Sequence, residues 1–98
     1  MAKFVYIYTG GGMPDSEEEG ARLMKQWQDF LGGFGGDLVD IGAPFGASQS
    51  VAGNGAATKA TGYSVVNAAS LDDAVERAKA CPIFDRGGNV EVYEAVQM

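Results

Sequence analysis

Four strand-patterned stretches and two capped amphipathic helices follow one another as β-α-β-β-α-β. This order predicts an α+β domain with a ferredoxin-like, split-βαβ antiparallel sheet. Three observations carry the prediction. Gly62 to Met98 reads as strand, capped helix, turn and strand. Ala2 to Thr9 is filled with β-branched and aromatic side chains. Between these, Asn54-Gly55 is the preferred dipeptide of a two-residue hairpin turn and would join the middle strands. Right-handed crossovers then put both helices on one face of the sheet.

In the first strand, Ala2 to Thr9, Val5 and Ile7 alternate with Phe4, Tyr6 and Tyr8. Gly10-Gly11-Gly12 follows as a connector, without the Gly-Lys-Ser/Thr ending of a phosphate-binding loop. The first helix begins near Asp15 or Ser16. Ser16 and Glu19 have capping-box spacing, and Glu17, Glu18 and Glu19 complement the positive end of the helix dipole. Leu23, Trp27, Phe30, Leu31 and Phe34 recur at three- and four-residue intervals as one apolar stripe, a pattern of core packing first and of a ligand cage second.

Asp37 to Ala43 is the second strand. Asp40 in its middle either reaches solvent at an edge or lies in a polar pocket that tunes its acidity. Pro44 to Thr61 supplies the weak arms of the hairpin, and Lys59 there is a candidate partner for Asp40 or for an anionic ligand. Tyr63 to Ala68 is the third strand. Ser70 caps the second helix, with Leu71, Ala74, Val75, Ala78 and Cys81 on one side, and Pro82 ends it. Asn89 to Val96 is the fourth strand, with Val90 and Val92 on one face and Glu91 and Tyr93 on the other.

Assembled, the pattern brings Val5, Ile7, Val39, Ile41, Val66, Val90 and Val92 against Leu23, Trp27, Phe30, Val75 and Ala78. The opposite face collects Phe4, Tyr6, Tyr8, Asp40, Tyr63, Asn67, Glu91 and Tyr93. That mixture is too apolar to face water as one patch. A second copy of the same face is the simplest cover, and the resulting homodimer would enclose a partly polar small-molecule pocket.

Composition narrows the function. The chain has 98 residues, a single domain's length, and a formal net charge of −6 with no Lys/Arg cluster, which disfavours nucleic acid and anionic membranes. No apolar run is long enough for a bilayer span and no signal peptide is recognisable, so a cytoplasmic protein is expected. Histidine is absent, which removes Ser-His-Asp and Cys-His catalysis and His-ligated zinc, and no cofactor is expected. Cys81, the single cysteine, reads as a small buried apolar residue.

Gly62-Tyr63, Ser70-Leu71-Asp72-Asp73-Ala74-Val75, Ala78-Lys79, Cys81-Pro82 and Gly88-Asn89-Val90-Glu91-Val92 together resemble the C-terminal half of YCII-related (DGPF-domain) proteins. The resemblance implies a dimeric α+β barrel, two ferredoxin-like sheets paired face to face. This chain has Gly53-Asn54-Gly55-Ala56-Ala57 where many such proteins carry Asp-Gly-Pro-Phe, and it has no histidine for the histidine–aspartate pair proposed in some of them. Two functions follow as expectations. One is cofactor-independent acid/base chemistry, with Asp40 or Glu91 as base, Tyr93 as a hydrogen-bond donor, and Tyr6, Tyr8, Trp27, Lys59 and Tyr63 contacting substrate. The other is a non-catalytic oligomer-forming or ligand-binding module.

Overall fold

The computed structural model describes residues 1–12, 14–48, 51 and 60–96. The elements are β1 (Ala2–Thr9), α1 (Glu17–Gly32), β2 (Leu38–Pro44), β3 (Ala60–Ala68), α2 (Leu71–Ala78) and β4 (Asn89–Glu94), with short 3-10 segments at Gly35–Asp37 and Pro82–Arg86. The four strands form one sheet in the order β2-β3-β1-β4, every pair antiparallel. This is the ferredoxin-like arrangement that the βαββαβ order predicts. The Asn54-Gly55 turn and Lys59 lie outside the described residues.

Both helices begin where side chains satisfy their first amides. Ser16 Oγ accepts from the Glu19 N–H at 3.1 Å, and Glu19 reaches back to accept from the Asp15 N–H at 3.2 Å. The second helix repeats the device: Ser70 Oγ accepts from the Asp73 N–H at 3.1 Å, and Asp73 accepts from the Ala69 N–H at 3.0 Å. Each reciprocal pair satisfies two donors that the helix itself leaves without acceptors.

The core corrects the expected facing of β1. Phe4, Tyr6 and Tyr8 are buried on the helix side with Ser64, Val66 and Ala68, while Val5 and Ile7 lie on the opposite face. Residues directly opposite in an antiparallel ladder share a face, and Phe4 stands opposite Val66, Tyr6 opposite Val92 and Tyr8 opposite Val90. Three aromatic side chains bury more area than two aliphatic ones, which decides between the two alternations. Their hydroxyls also find partners: Tyr6 donates to the Ala74 carbonyl at 2.5 Å and Tyr8 to Ser64 Oγ at 2.9 Å.

Val66, Val90 and Val92 do face the helices, with Trp27 and Phe30 packed at the margin of the core. Val39, Ile41, Leu71 and Val75 are exposed instead of buried. On α2 the sheet-facing positions are Ala74 and Ala78, small residues that bring the helix close enough for the Tyr6 hydrogen bond. An edge-to-face chain runs from Tyr8 through Trp27 and Phe30 to Phe34, with ring centroids 4.8, 6.1 and 5.5 Å apart. The Arg77 guanidinium lies 4.4 Å over the Phe34 ring, pairs with Asp37 at 3.2 Å and donates to the Asn67 carbonyl at 3.2 Å. It thereby ties α2 to the start of β2.

Arg86 closes the other end of the helix layer, donating from Nε to the Gly11 carbonyl at 2.8 Å and pairing with Glu19, whose carboxyl it holds below the usual carboxylate range. Cys81 is buried, as expected of a small apolar residue, and burial pushes its thiol up to about 11.

Candidate functional site

With both helices on one side, the other face of the sheet has no second layer among the described residues. Its rows follow from the register. Tyr63, Ile7 and Glu91 lie side by side across β3, β1 and β4, and the next row holds Val65, Val5 and Tyr93. Lys3 and Asn67 form a third row. The centre is therefore Val5, Ile7 and Val65, partly exposed, with a tyrosine and a carboxylate at either edge.

At the β2 edge, the pleat is broken to aim Asp40 onto this face. Leu38 is opposite Val66 and Asp40 opposite Val65, so two steps on β2 match one on β3 and Asp40 turns away from the helix side; between Asp40 and Ala43, opposite Tyr63, a second irregularity matches three steps to two. The extra residue is accommodated at Gly42, whose φ is 80°. A Cβ there would sit 1.6 Å from the Tyr63 carbonyl oxygen, so only glycine fits. The Gly42 N–H donates to Asp40 Oδ1 at 2.9 Å and the Tyr63 hydroxyl donates to Asp40 Oδ2 at 3.1 Å. Both carboxylate oxygens are thus held. The hydrogen bond to Asp40 raises the Tyr63 phenol above its ordinary value, because ionisation would place two negative charges together. Phe45 stacks on Tyr63, with centroids 5.7 Å apart and planes 21° from parallel.

The bulge is fixed from beneath. Ser64 Oγ donates to the Ile41 carbonyl at 2.7 Å while accepting from the buried Tyr8 hydroxyl. Burial raises the Tyr8 phenol well above its ordinary value, so it remains a neutral donor.

At the β4 edge, Tyr93 donates to Glu91, its neighbour two residues away on the same face. That bond likewise raises the Tyr93 phenol. Tyr93 is 52% exposed.

Of the residues expected at a site, Asp40, Tyr63, Glu91 and Tyr93 share the open face, in two pairs on opposite edges. Three strand spacings, about 14 Å, separate β2 from β4, so Asp40 and Tyr93 do not converge within one subunit. Tyr6, Tyr8 and Trp27 are placed on the other side of the sheet, and their expected contact with substrate on the open face is corrected by the β1 facing. Lys59 is not among the described residues.

Gly42, Ser64 and Phe45 were not singled out by the pattern. Asp40-Ile41-Gly42 carries the signal of an Asx-type turn, a side chain capping the amide two residues on. Ser64 is recognisable only once its facing is known. Among the described residues, depressions of about 160 and 380 Å³ open on the helix side, bordered by α1 and the Pro82–Arg86 segment, and neither touches the open face.

Among the described residues no group of three or more His, Cys, Asp or Glu side chains could hold a metal ion. No helix there is long and apolar enough to cross a membrane. Fold and site together define the chain as a ferredoxin-like α+β protein with one helix-covered and one open sheet face. In comparison with known proteins, no family model, curated protein or solved structure matches the chain.

Proposed function

We propose that two copies of this chain pair through their open sheet faces and enclose a small-molecule binding pocket at the seam. The observation that carries this reading is the strip Val5, Ile7 and Val65, flanked by Tyr63 and Tyr93, on the face that neither helix covers. Apolar surface of this kind gains by leaving water, and a two-fold partner supplies the same surface in return. The likeness of Gly62–Met98 to YCII-related proteins supports the same pairing, as does the buried, singly occurring Cys81 a cytoplasmic setting.

In this reading the tyrosine–carboxylate pairs provide the polar groups of the pocket. Asp40 is fixed by two donors and keeps lone pairs for a third, while the Phe45–Tyr63 stack presents a flat apolar edge beside it. Binding is the function this geometry supports best. Each phenolic hydrogen is already given to a carboxylate, so neither tyrosine is free to stabilise a developing oxyanion without first changing partner.

A second reading, cofactor-independent acid/base catalysis, is favoured by one observation: Asp40 sits on a rigid bulge, where a base is held in a fixed direction. Closure of the seam would have to desolvate Asp40 to make it an effective base. Thermal-shift titration tests the binding reading. A ligand of the native pocket raises the midpoint with concentration, and a variant with Val5→Lys on the open face loses that response. A response unchanged in the variant would place the ligand elsewhere.

A further inference from the structure

We infer that the ligand of this seam is an organic cation with an apolar body, seated at the corner made by Asp40, Tyr63 and Phe45. The inference rests on the pairing proposed above and adds to it the charge of the ligand.

Among the described residues the charge on the open face is predominantly negative. Its described carboxylates are Asp40 and Glu91, and Lys3 is its one described cation. Asp37, the residue before β2, is engaged by Arg77 on the helix side, and Glu94 stands opposite the buried Phe4. Lys3 occupies the row of Asn67, two rows beyond Ile7 and Glu91, and lies one row and two strands away from Asp40, which shares the row of Val65 and Val5. By strand spacings the Lys3 backbone is about 13 Å from the Glu91 row and about 12 Å from Asp40, both further than the screening length of about 8 Å at physiological salt. Two copies placed face to face would gather the Asp40 and Glu91 carboxylates of both subunits around an apolar centre. An anionic ligand would have to enter that field against repulsion, whereas a cation would relieve it.

The Asp40 corner offers more than charge. Gly42 fixes the carboxylate in place through its N–H, and the Tyr63 hydroxyl holds the second oxygen, so little side-chain freedom remains to be lost on binding. The Phe45–Tyr63 stack beside it supplies π surface to an ammonium group and apolar contact to its substituents. Glu91 and Tyr93 at the opposite edge repeat the pair of chemistries without a bulge, and contribute to the field more than to the seat.

The test uses three probes of similar body and different charge at constant ionic strength: benzyltrimethylammonium, benzyl alcohol and phenylacetate. The expected result is binding of the ammonium at least about tenfold tighter than the alcohol, with no binding of the acid. Asp40→Asn retains an acceptor for the Gly42 N–H, and in this variant the preference for the ammonium over the alcohol should fall by about tenfold. Equal binding of all three probes by a dimeric protein, or an unchanged preference in Asp40→Asn, overturns the inference and leaves the pairing intact. A midpoint rise matched by sodium chloride at the same concentration would reveal mere screening and likewise overturns it. A protein that sediments as a monomer removes the seam, and with it both readings.

Discussion

The Tyr63 hydroxyl reaches across from β3 to donate to Asp40 on β2 at 3.1 Å, and the same carboxylate accepts from the Gly42 N–H at 2.9 Å. One side chain therefore closes a bulge and orients a phenol. The local backbone makes this contact possible: with Ala43 opposite Tyr63, an unbroken pleat would set Asp40 opposite the helix-facing Val66, one residue from its observed partner Val65. The consequences are measurable at Gly42, at Ser64, in the alkaline range and in the state of association.

Gly42→Ala should destabilise the chain by more than about 2 kcal/mol. The new methyl would be driven toward the Tyr63 carbonyl in a left-handed conformation that alanine resists. Urea unfolding measures the loss. A change under about 0.5 kcal/mol, the range of an ordinary surface substitution, would contradict the bulge geometry.

Ser64→Ala should cost about 1–3 kcal/mol, because it leaves both the buried Tyr8 hydroxyl and the Ile41 carbonyl without their partner. Tyr8→Phe should cost less, since Ser64 keeps its bond to Ile41. In the double variant the two losses should fall short of their sum, because the Tyr8 hydroxyl can be orphaned only once. Strict additivity of the two losses would mean that the relay does not operate as a unit.

Much of this architecture is legible in the chain itself, and the misreadings have a common origin. Ser16 with Glu19 and Ser70 with Asp73 mark the helix starts, because capping is local and uses few residue types. Val90 and Val92 alternate with polar residues, which fixes the facing of β4. In β1 both alternating sets are apolar, so period alone does not choose between Phe4-Tyr6-Tyr8 and Val5-Ile7. The larger area of the aromatic set favours its burial, and distant partners, Ala74 and Ser64, permit it by accepting the tyrosine hydroxyls. Exposure of Leu71 and Val75 has the same cause: α2 approaches the sheet through Ala74 and Ala78, and larger residues at those contacts would hold it away. Asp40, Tyr63, Glu91 and Tyr93 were recognisable as one face from alternation, whereas the bulge that aims Asp40 depends on pairing with β3.

Stability should fall as pH rises through the alkaline range. Burial raises Tyr6 from 10.0 to about 12, with the Arg77 charge opposing the shift, and raises Cys81 from 9.0 to about 11. A group whose folded value lies above its unfolded value contributes fully below the unfolded value, and that contribution is lost as pH rises through the folded one. The loss should begin near pH 9 with Cys81 and extend to about 12 with Tyr6. Tyr6→Phe removes one titrating group and the bond to Ala74, so at neutral pH it should be less stable by about 0.5–1.5 kcal/mol, with a shallower alkaline decline. An identical alkaline slope in Tyr6→Phe and the unaltered protein would contradict the buried phenol.

The pairing of open faces is tested most directly by sedimentation velocity at micromolar concentration, comparing the unaltered chain with Ile7→Lys. Ile7 stands at the centre of the face between Tyr63 and Glu91, and lysine there keeps its stem on the sheet while placing a charge in the seam. The expected result is a dimer for the unaltered chain and a folded monomer for Ile7→Lys, with unchanged far-ultraviolet circular dichroism. A monomer for the unaltered chain, or a dimer that survives Ile7→Lys, would contradict it.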